Sequence, residues 1–194
     1  MAVFANPKVA AVETYPPLPA AQREAPSIAR RYPRSLLLRG NRATAERFRL
    51  DAARYDIVQF SGHAHVDDAE PWKSALMFDV PLLAREIGAM QFSRTKLVIL
   101  GACSTLANDG ERVEGTSPIA RSFLTAGVPT VIGSLWDVDD AEAAVVITRL
   151  HERLARGVTA VTALRDVQRE LIHTLPRGCP ASTWAAFTVL GAGG

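Results

Sequence analysis

The sequence predicts an α/β fold in which helices cover both faces of a mostly parallel sheet. The chain has 194 residues, of which 48% are hydrophobic and 22% charged, as is usual for one globular domain with a sizeable core. Strand-like apolar runs alternate with helix-like segments, and the run LVIL (97–100) is typical of a central parallel strand. We therefore predict a single domain over residues 1–194, with its site at the carboxyl ends of the strands.

The predicted elements follow one another in a regular order after residue 33. Six prolines interrupt the chain up to that point, so we expect the first ~30 residues to be loosely structured, with only a short strand near Val3 and a helix over 22–32 that Pro26 disfavours. Strands are predicted at 35–38, 56–60, 74–79, 96–100, 128–136 and 184–191, and helices at 44–54, 81–90, 117–127, 139–157 and 159–175. Thr44 and Ser117 are the expected helix caps.

Charge and cysteine content narrow the class of protein. A net charge of +2 and scattered arginines give no support for binding to nucleic acid. No signal peptide or membrane-spanning run is recognised. The two cysteines, Cys103 and Cys179, are far apart in the sequence, so a disulfide framework is not expected, and the composition fits a reducing, cytoplasmic environment.

Two successive predicted strands end in reactive residues. His63 lies near the end of the segment DIVQFSGHA, and Cys103 ends the segment KLVILGAC, 40 residues later. If the two strands are neighbours, the imidazole and the thiol emerge side by side. Because the thiolate is the nucleophile, a nearby imidazole that takes the thiol proton can support attack on a carbonyl carbon. The small neighbours Gly62, Ala64 and Ala102 would let a substrate backbone approach, and backbone N–H groups there could hold an oxyanion.

Four segments resemble a known family. They are YDIVQFSGHAHVDD (55–68), KLVILGACSTLANDG (96–110), GTSPIARSFLTAGVPTVIGSLWDVDD (115–140) and WAAFTVLG (184–191), and together they are similar to the CHAT domain. CHAT domains are caspase-like peptidases, related to separase and caspases and often fused to tetratricopeptide repeats. The resemblance implies a caspase-like three-layer α/β/α sandwich, His63 as general base, Cys103 as nucleophile, and no metal or organic cofactor. Ala64 departs from the glycine that often follows the histidine.

The resemblance also implies where a protein or peptide substrate binds. The strand ending in Ser134, Leu135 and Trp136 would pair with the substrate by strand addition. Asp137, Asp139 and Asp140 follow at once and suit either a helix N-terminus or a cationic side chain. We expect a cysteine endopeptidase that cleaves after a basic residue, arginine at P1, with Asp137 as its contact, and with a tetratricopeptide-repeat region as a regulatory partner.

Two other interpretations stay open at this point. The segment HAHVDD, with His63, His65, Asp67 and Asp68, approximates the ligand run of metallo-β-lactamase-like hydrolases, because histidines two apart can bind zinc. Alternatively, the domain is a non-catalytic caspase-like module for binding or signalling, since a fold alone does not establish an activity.

Overall fold

The computed structural model of the chain describes residues 1–11, 13–101, 117–173 and 180–192. Its strands are β1 (Ala2–Pro7), β2 (Leu36–Gly40), β3 (Ile57–Ser61), β4 (His63–His65), β5 (Ala75–Met77), β6 (Leu82–Leu83), β7 (Leu97–Gly101), β8 (Thr130–Ser134) and β9 (Phe187–Gly191). Six of them form a central sheet in the order β2-β1-β3-β7-β8-β9, in which only β9 runs antiparallel to its neighbour. The predicted mostly parallel sheet is confirmed.

Helices cover both faces of this sheet. They are α1 (Pro19–Ala29), α2 (Ala45–Asp51), α3 (Ala84–Ala89), α4 (Pro118–Thr125), α5 (Asp140–Leu154), α6 (Ala160–His173) and α7 (Ala181–Trp184). Alternate residues of each strand point to opposite faces, so Phe4 of β1 packs in one hydrophobic core with α2, α3 and α4, whereas Val3 packs in a second core with α1, α5 and α6. The result is the three-layer α/β/α sandwich that was predicted.

Helix caps explain several of the element boundaries. The Thr44 side chain accepts a hydrogen bond from the Arg47 N–H at the start of α2, and the Ser117 side chain accepts one from the Ile119 N–H at the start of α4. Both caps were predicted. The final predicted strand is shorter than expected, because residues 181–184 form α7 before β9 begins at Phe187.

The first ~30 residues contain the expected short strand near Val3 and form a helix although Pro26 disfavours one, so the expectation that they are loosely structured is wrong. They form β1, which lies between β2 and β3 inside the sheet, and α1, which packs against the same face as α5. Pro26 lies within α1 and cannot donate to the Gln22 carbonyl one turn earlier. The guanidinium of Arg39 donates to that carbonyl instead, at 3.0 Å, so the helix continues past the proline.

A second, three-stranded antiparallel sheet, in the order β4-β5-β6, follows β3. The first three residues of HAHVDD form β4, with His63 opposite Met77. The predicted helix over 81–90 begins instead as β6, and α3 starts only at Ala84, whose N–H donates to the Ser74 carbonyl at 2.7 Å. No helix within the described ranges combines the length and the apolar character needed to cross a bilayer.

Candidate active site

The two strands that lead to His63 and Cys103 are neighbours and in register. β3 and β7 pair in parallel from Ile57 opposite Leu97 to Ser61 opposite Gly101. The Gly62 N–H continues the ladder by donating to the Gly101 carbonyl at 3.3 Å. The last pair of this ladder is Ser61 and Gly101. In sequence, His63 comes two residues after Ser61, and Cys103 comes two residues after Gly101. The predicted adjacency of the strands is confirmed.

Cys103 itself and the predicted oxyanion residue Ala102 lie outside the described residues. Of the other two residues predicted for that role, Gly62 uses its N–H in the bond to Gly101, and Ala64 lies in β4 opposite Leu76. Among the described residues, Ala64 therefore stays a candidate for donating its N–H to an oxyanion.

The His63 ring is held by a segment that sequence reasoning did not single out. Its Nε2 atom lies 2.7 Å from the carbonyl oxygen of Pro16, and its ring lies 5.4 Å from that of Tyr15, tilted by 49°. A carbonyl oxygen only accepts hydrogen bonds, so Nε2 carries the proton in this contact and Nδ1 is left with its lone pair. The ring nitrogen that can accept a proton is therefore Nδ1.

Contacts at the end of β1 fix this holding segment in place. The Leu18 N–H donates to the Asn6 side-chain oxygen at 2.9 Å, and Asn6 itself has a positive φ of 45°. Pro17 follows Pro16 and restricts its ψ to extended values, which limits where the Pro16 carbonyl can point. The one signal in the sequence was an aromatic residue followed by prolines shortly after β1, which had been interpreted only as an interruption.

A narrow cavity of about 30 Å³ opens beside His63, at the carboxyl ends of β3, β7 and β8. Its wall includes Ser61, Gly62, Gly101 and Ser134 from these strands, together with Glu24 of α1 and Asp140 of α5. Any side chain at position 101 would fill this space, because a Cβ there would lie 2.5 Å from the Ile147 side chain. Neither Glu24 nor the cavity was predicted from the sequence.

Glu24 is a buried carboxyl group inside this cavity. It accepts hydrogen bonds of 3.4 Å from the Ser61 hydroxyl and of 3.4 Å from the Thr148 hydroxyl. The pKa of Glu24 is raised from 4.5 to about 8, chiefly by burial and to a smaller extent by the charge of Asp140. The hydrogen bonds from the two hydroxyl groups lower the pKa and offset part of this rise. Glu24 is therefore protonated in the fold at neutral pH.

A chain of buried hydrogen bonds ends at Glu24. The Tyr32 hydroxyl lies 2.8 Å from His151 Nδ1, and His151 Nε2 lies 3.0 Å from Gln59 Oε1. Gln59 Nε2 donates to the Phe60 carbonyl and to the Ser61 hydroxyl at 2.9 Å. Burial lowers the pKa of His151 to about 3, so the ring is neutral. Since the amide oxygen accepts from His151, each donor in the chain points toward Glu24.

The residues predicted to bind substrate lie at the end of β8 and just after it. Ser134 is buried and lines the cavity. The Leu135 N–H donates to the Ala186 carbonyl at 2.8 Å, and the Trp136 indole N–H donates to the Ser182 carbonyl at 2.6 Å. Both side chains remain more than one-third exposed. An exposed tryptophan at this place can form the wall of a groove.

The aspartates after β8 differ in what they contact. The Asp139 side chain accepts from the N–H groups of Ala141 and Glu142 and caps α5, as expected for one or two of these residues. The two carboxylate oxygens of Asp140 accept from the Ala20 and Ala21 N–H groups at the start of α1. Asp137 does not belong to the cavity wall.

The HAHVDD segment makes local contacts. His65 is exposed, the Asp67 side chain accepts a hydrogen bond from the Glu70 N–H at 2.8 Å, and the Asp67 N–H donates to the Ser74 hydroxyl. Within the part of the chain that the structure describes, no three histidine, cysteine, aspartate or glutamate side chains come together as metal ligands would.

Comparison with solved structures shows the same fold in cysteine peptidases. The separase of the Saccharomyces cerevisiae separase–securin complex is 16% identical with a TM-score of 0.62, and the alignment covers 98% of this chain and 11% of separase. The Arg-specific cysteine proteinase gingipain R is 13% identical with a TM-score of 0.66, and the alignment covers 98% of this chain and 45% of gingipain.

Sequence comparison points to a family. A human protein, tetratricopeptide repeat protein 28, is 32% identical over 96 residues, which are 50% of this chain and only 4% of that protein. This chain thus spans a small part of its relative, and less than half of either structural neighbour. The profile of the CHAT domain matches residues 1–192, nearly the whole chain. The protein belongs to the CHAT domain family.

Proposed function

We propose that this domain is a cysteine endopeptidase in which His63 and Cys103 form a catalytic dyad. The observation that carries the proposal is the register of β3 and β7, in which Ser61 faces Gly101 and the ladder extends to Gly62. His63 and Cys103 follow these paired residues at equal offsets in sequence, which supports a dyad at one edge of the sheet. The caspase-like fold of the two structural neighbours supports the same assignment.

In the proposed mechanism, His63 Nδ1 takes the proton from the Cys103 thiol. The thiolate attacks the carbonyl carbon of the scissile peptide bond, and the resulting oxyanion accepts hydrogen bonds from backbone N–H groups near Ala64 and Ala102. The imidazolium then returns its proton to the leaving amine as the C–N bond breaks, and water hydrolyses the thioester. The Pro16 carbonyl keeps the ring in the required orientation throughout, because it holds the proton on Nε2.

The proposal includes a peptide groove along the end of β8. β8 ends at Ser134, and the chain bends at Leu135 and Trp136, whose backbone and indole N–H groups donate to the Ala186 and Ser182 carbonyls. An extended substrate would lie along this end of the strand, with the exposed part of the Trp136 ring as a wall. A basic residue at P1 is proposed for this groove, with Asp137 as a candidate contact at its rim.

We also propose a regulatory partner for the domain. The human relative is named for its tetratricopeptide repeats and is far longer than the matched region. A tetratricopeptide-repeat region, in the same polypeptide or in a separate one, is therefore the partner we propose. The two cysteines, distant in sequence, suit a reducing compartment, and a cytoplasmic location is proposed on that ground.

Covalent labelling tests the dyad. A thiol-directed peptide probe ending in arginine is incubated with the wild-type protein, Cys103→Ala, His63→Ala and the matched control Cys179→Ala. Intact mass and peptide mapping should show one adduct on Cys103 in the wild type and in Cys179→Ala, a much slower adduct in His63→Ala, and none in Cys103→Ala. A wild-type protein that stays unlabelled would favour the alternative, a non-catalytic binding or signalling module.

A further inference from the structure

We infer that Glu24 selects the P1 residue of the substrate by receiving the positive charge of an arginine or lysine side chain in the cavity beside His63. This inference rests on the proposed peptidase function and adds the group that sets its specificity. It moves the main determinant from the aspartates that follow β8, which the sequence favoured, to a glutamate in the first helix.

The position of the cavity suits the P1 side chain. Its wall includes Gly62, which directly precedes His63, and Gly101, which lies two residues before Cys103 in sequence. Leu18, two residues after the carbonyl that holds His63, lies at the same cavity. A side chain next to a carbonyl carbon under attack at this edge of the sheet would therefore have the cavity within its reach.

Of the two carboxyl groups that the described residues place in the cavity wall, Glu24 and Asp140, Glu24 has the contacts that a cation can replace. Both oxygens of Asp140 accept from backbone N–H groups of α1, and Asp139 caps α5. The hydrogen bonds to Glu24 are instead long, 3.4 Å each, and come from hydroxyl groups, which can rotate. A cationic N–H donor would form a shorter and stronger bond with this carboxylate.

The hydrogen-bond chain from Tyr32 to Glu24 points to the same role. Each side chain in it presents a donor to the next, and Ser61 finally donates to Glu24. This direction favours negative charge on Glu24 once a cation offsets the cost of burial. A glutamate with only a packing role would not need donors arranged in this direction.

The shape of the cavity limits what can enter. A volume of about 30 Å³ is suited to the charged end of a side chain, while the aliphatic stem would contact Leu18 and Val138 at the wall. The absence of a side chain at Gly101 keeps this space open, since a Cβ would also lie 3.3 Å from Gln59 Nε2 and 3.4 Å from the Ser61 hydroxyl.

Specificity kinetics test the inference. Peptides that differ only at P1, with arginine, lysine or the neutral arginine analogue citrulline, are cleaved by the wild type, Glu24→Gln and Glu24→Asp. Asp137→Asn tests the other candidate contact, and Glu46→Gln, which removes an exposed carboxylate of α2, is the matched control. We expect Glu24→Gln to lower kcat/KM for arginine and lysine by about 30- to 100-fold, as for loss of a charged hydrogen bond, and to change citrulline cleavage by less than about threefold. Glu46→Gln should keep the wild-type preference.

The same variants distinguish a failure of the role inferred for Glu24 from a failure of the proposed peptidase activity. If Glu24→Gln keeps the wild-type ratio of arginine to citrulline cleavage, or if Asp137→Asn alone loses it, the role of Glu24 is overturned while the peptidase stands. If the wild type cleaves no peptide and Cys103 takes no label, the peptidase fails and the inference fails with it. Should Glu24→Gln not fold, Glu24→Asp, which retains the charge, must still prefer basic over neutral residues. Loss of that preference in a folded Glu24→Asp also counts against the inference.

Discussion

Replacing Glu24 by glutamine tests whether burial holds this carboxyl group neutral in the fold. The pKa is 4.5 in an unfolded chain and about 8 in the folded protein. Between these values the folded protein keeps a proton that the unfolded chain has released. The free energy of unfolding therefore falls as pH rises, by up to about 1.4 kcal/mol per pH unit. From pH 4.5 to pH 7 the loss is about 3 kcal/mol, and it is complete above pH 8.

Glutamine has nearly the same shape and does not ionise. Its amide oxygen can accept from one of the Ser61 and Thr148 hydroxyl groups, and its NH2 group can donate to the other. Urea unfolding from pH 5 to pH 8.5 should give similar stabilities for the wild type and Glu24→Gln near pH 5, and a more stable variant at pH 7, by about 3 kcal/mol. Glu46→Gln, which removes an exposed carboxylate in the first turn of α2, is the matched control and should follow the wild type. Parallel curves for the wild type and Glu24→Gln across this range would refute the reasoning.

Two further substitutions test contacts around the site. Tyr32→Phe removes the donor to His151 Nδ1 and leaves a buried ring nitrogen without a partner, so the free energy of unfolding should fall by about 1–3 kcal/mol, measured by urea unfolding; an unchanged stability would mean that His151 finds another donor. Asp139→Ala removes the cap of α5 and should cost about 1 kcal/mol in the same assay. If Asp139→Ala instead stabilises the protein, the cap is not the dominant role of this carboxylate.

The sheet and the two strand ends could be predicted because they depend on local patterns. Apolar runs between helix caps identify β3 and β7, and parallel neighbours bring their carboxyl ends to one edge whatever the details of the loops. The first ~30 residues were misjudged for the opposite reason. Their prolines are locally unfavourable, and the compensation for Pro26 comes from Arg39, which is distant in the sequence and follows no local pattern.

The residues that surround the candidate site could not be predicted from the sequence. The Pro16 carbonyl is 47 residues from His63, and a backbone oxygen leaves no signature in side-chain chemistry. In the sequence, Glu24 is one polar position on a helix that a proline interrupts. Only the packing of α1 against α5 shows that Glu24 is buried and faces Ser61. The aspartates after β8 were conspicuous in the sequence, yet two of the three cap helices.

The alkylation rate of Cys103 tests the proposed dyad most directly. The wild type and His63→Ala are treated with a small neutral alkylating reagent at pH 7, and peptide mass spectrometry follows Cys103, with Cys179 as the internal reference. A free thiol with a pKa of ~8.5 reacts slowly at this pH. We predict that Cys103 reacts at least about tenfold faster in the wild type than in His63→Ala, while Cys179 is unaffected. Equal rates for Cys103 in the two proteins would contradict the proposal that His63 activates the thiol.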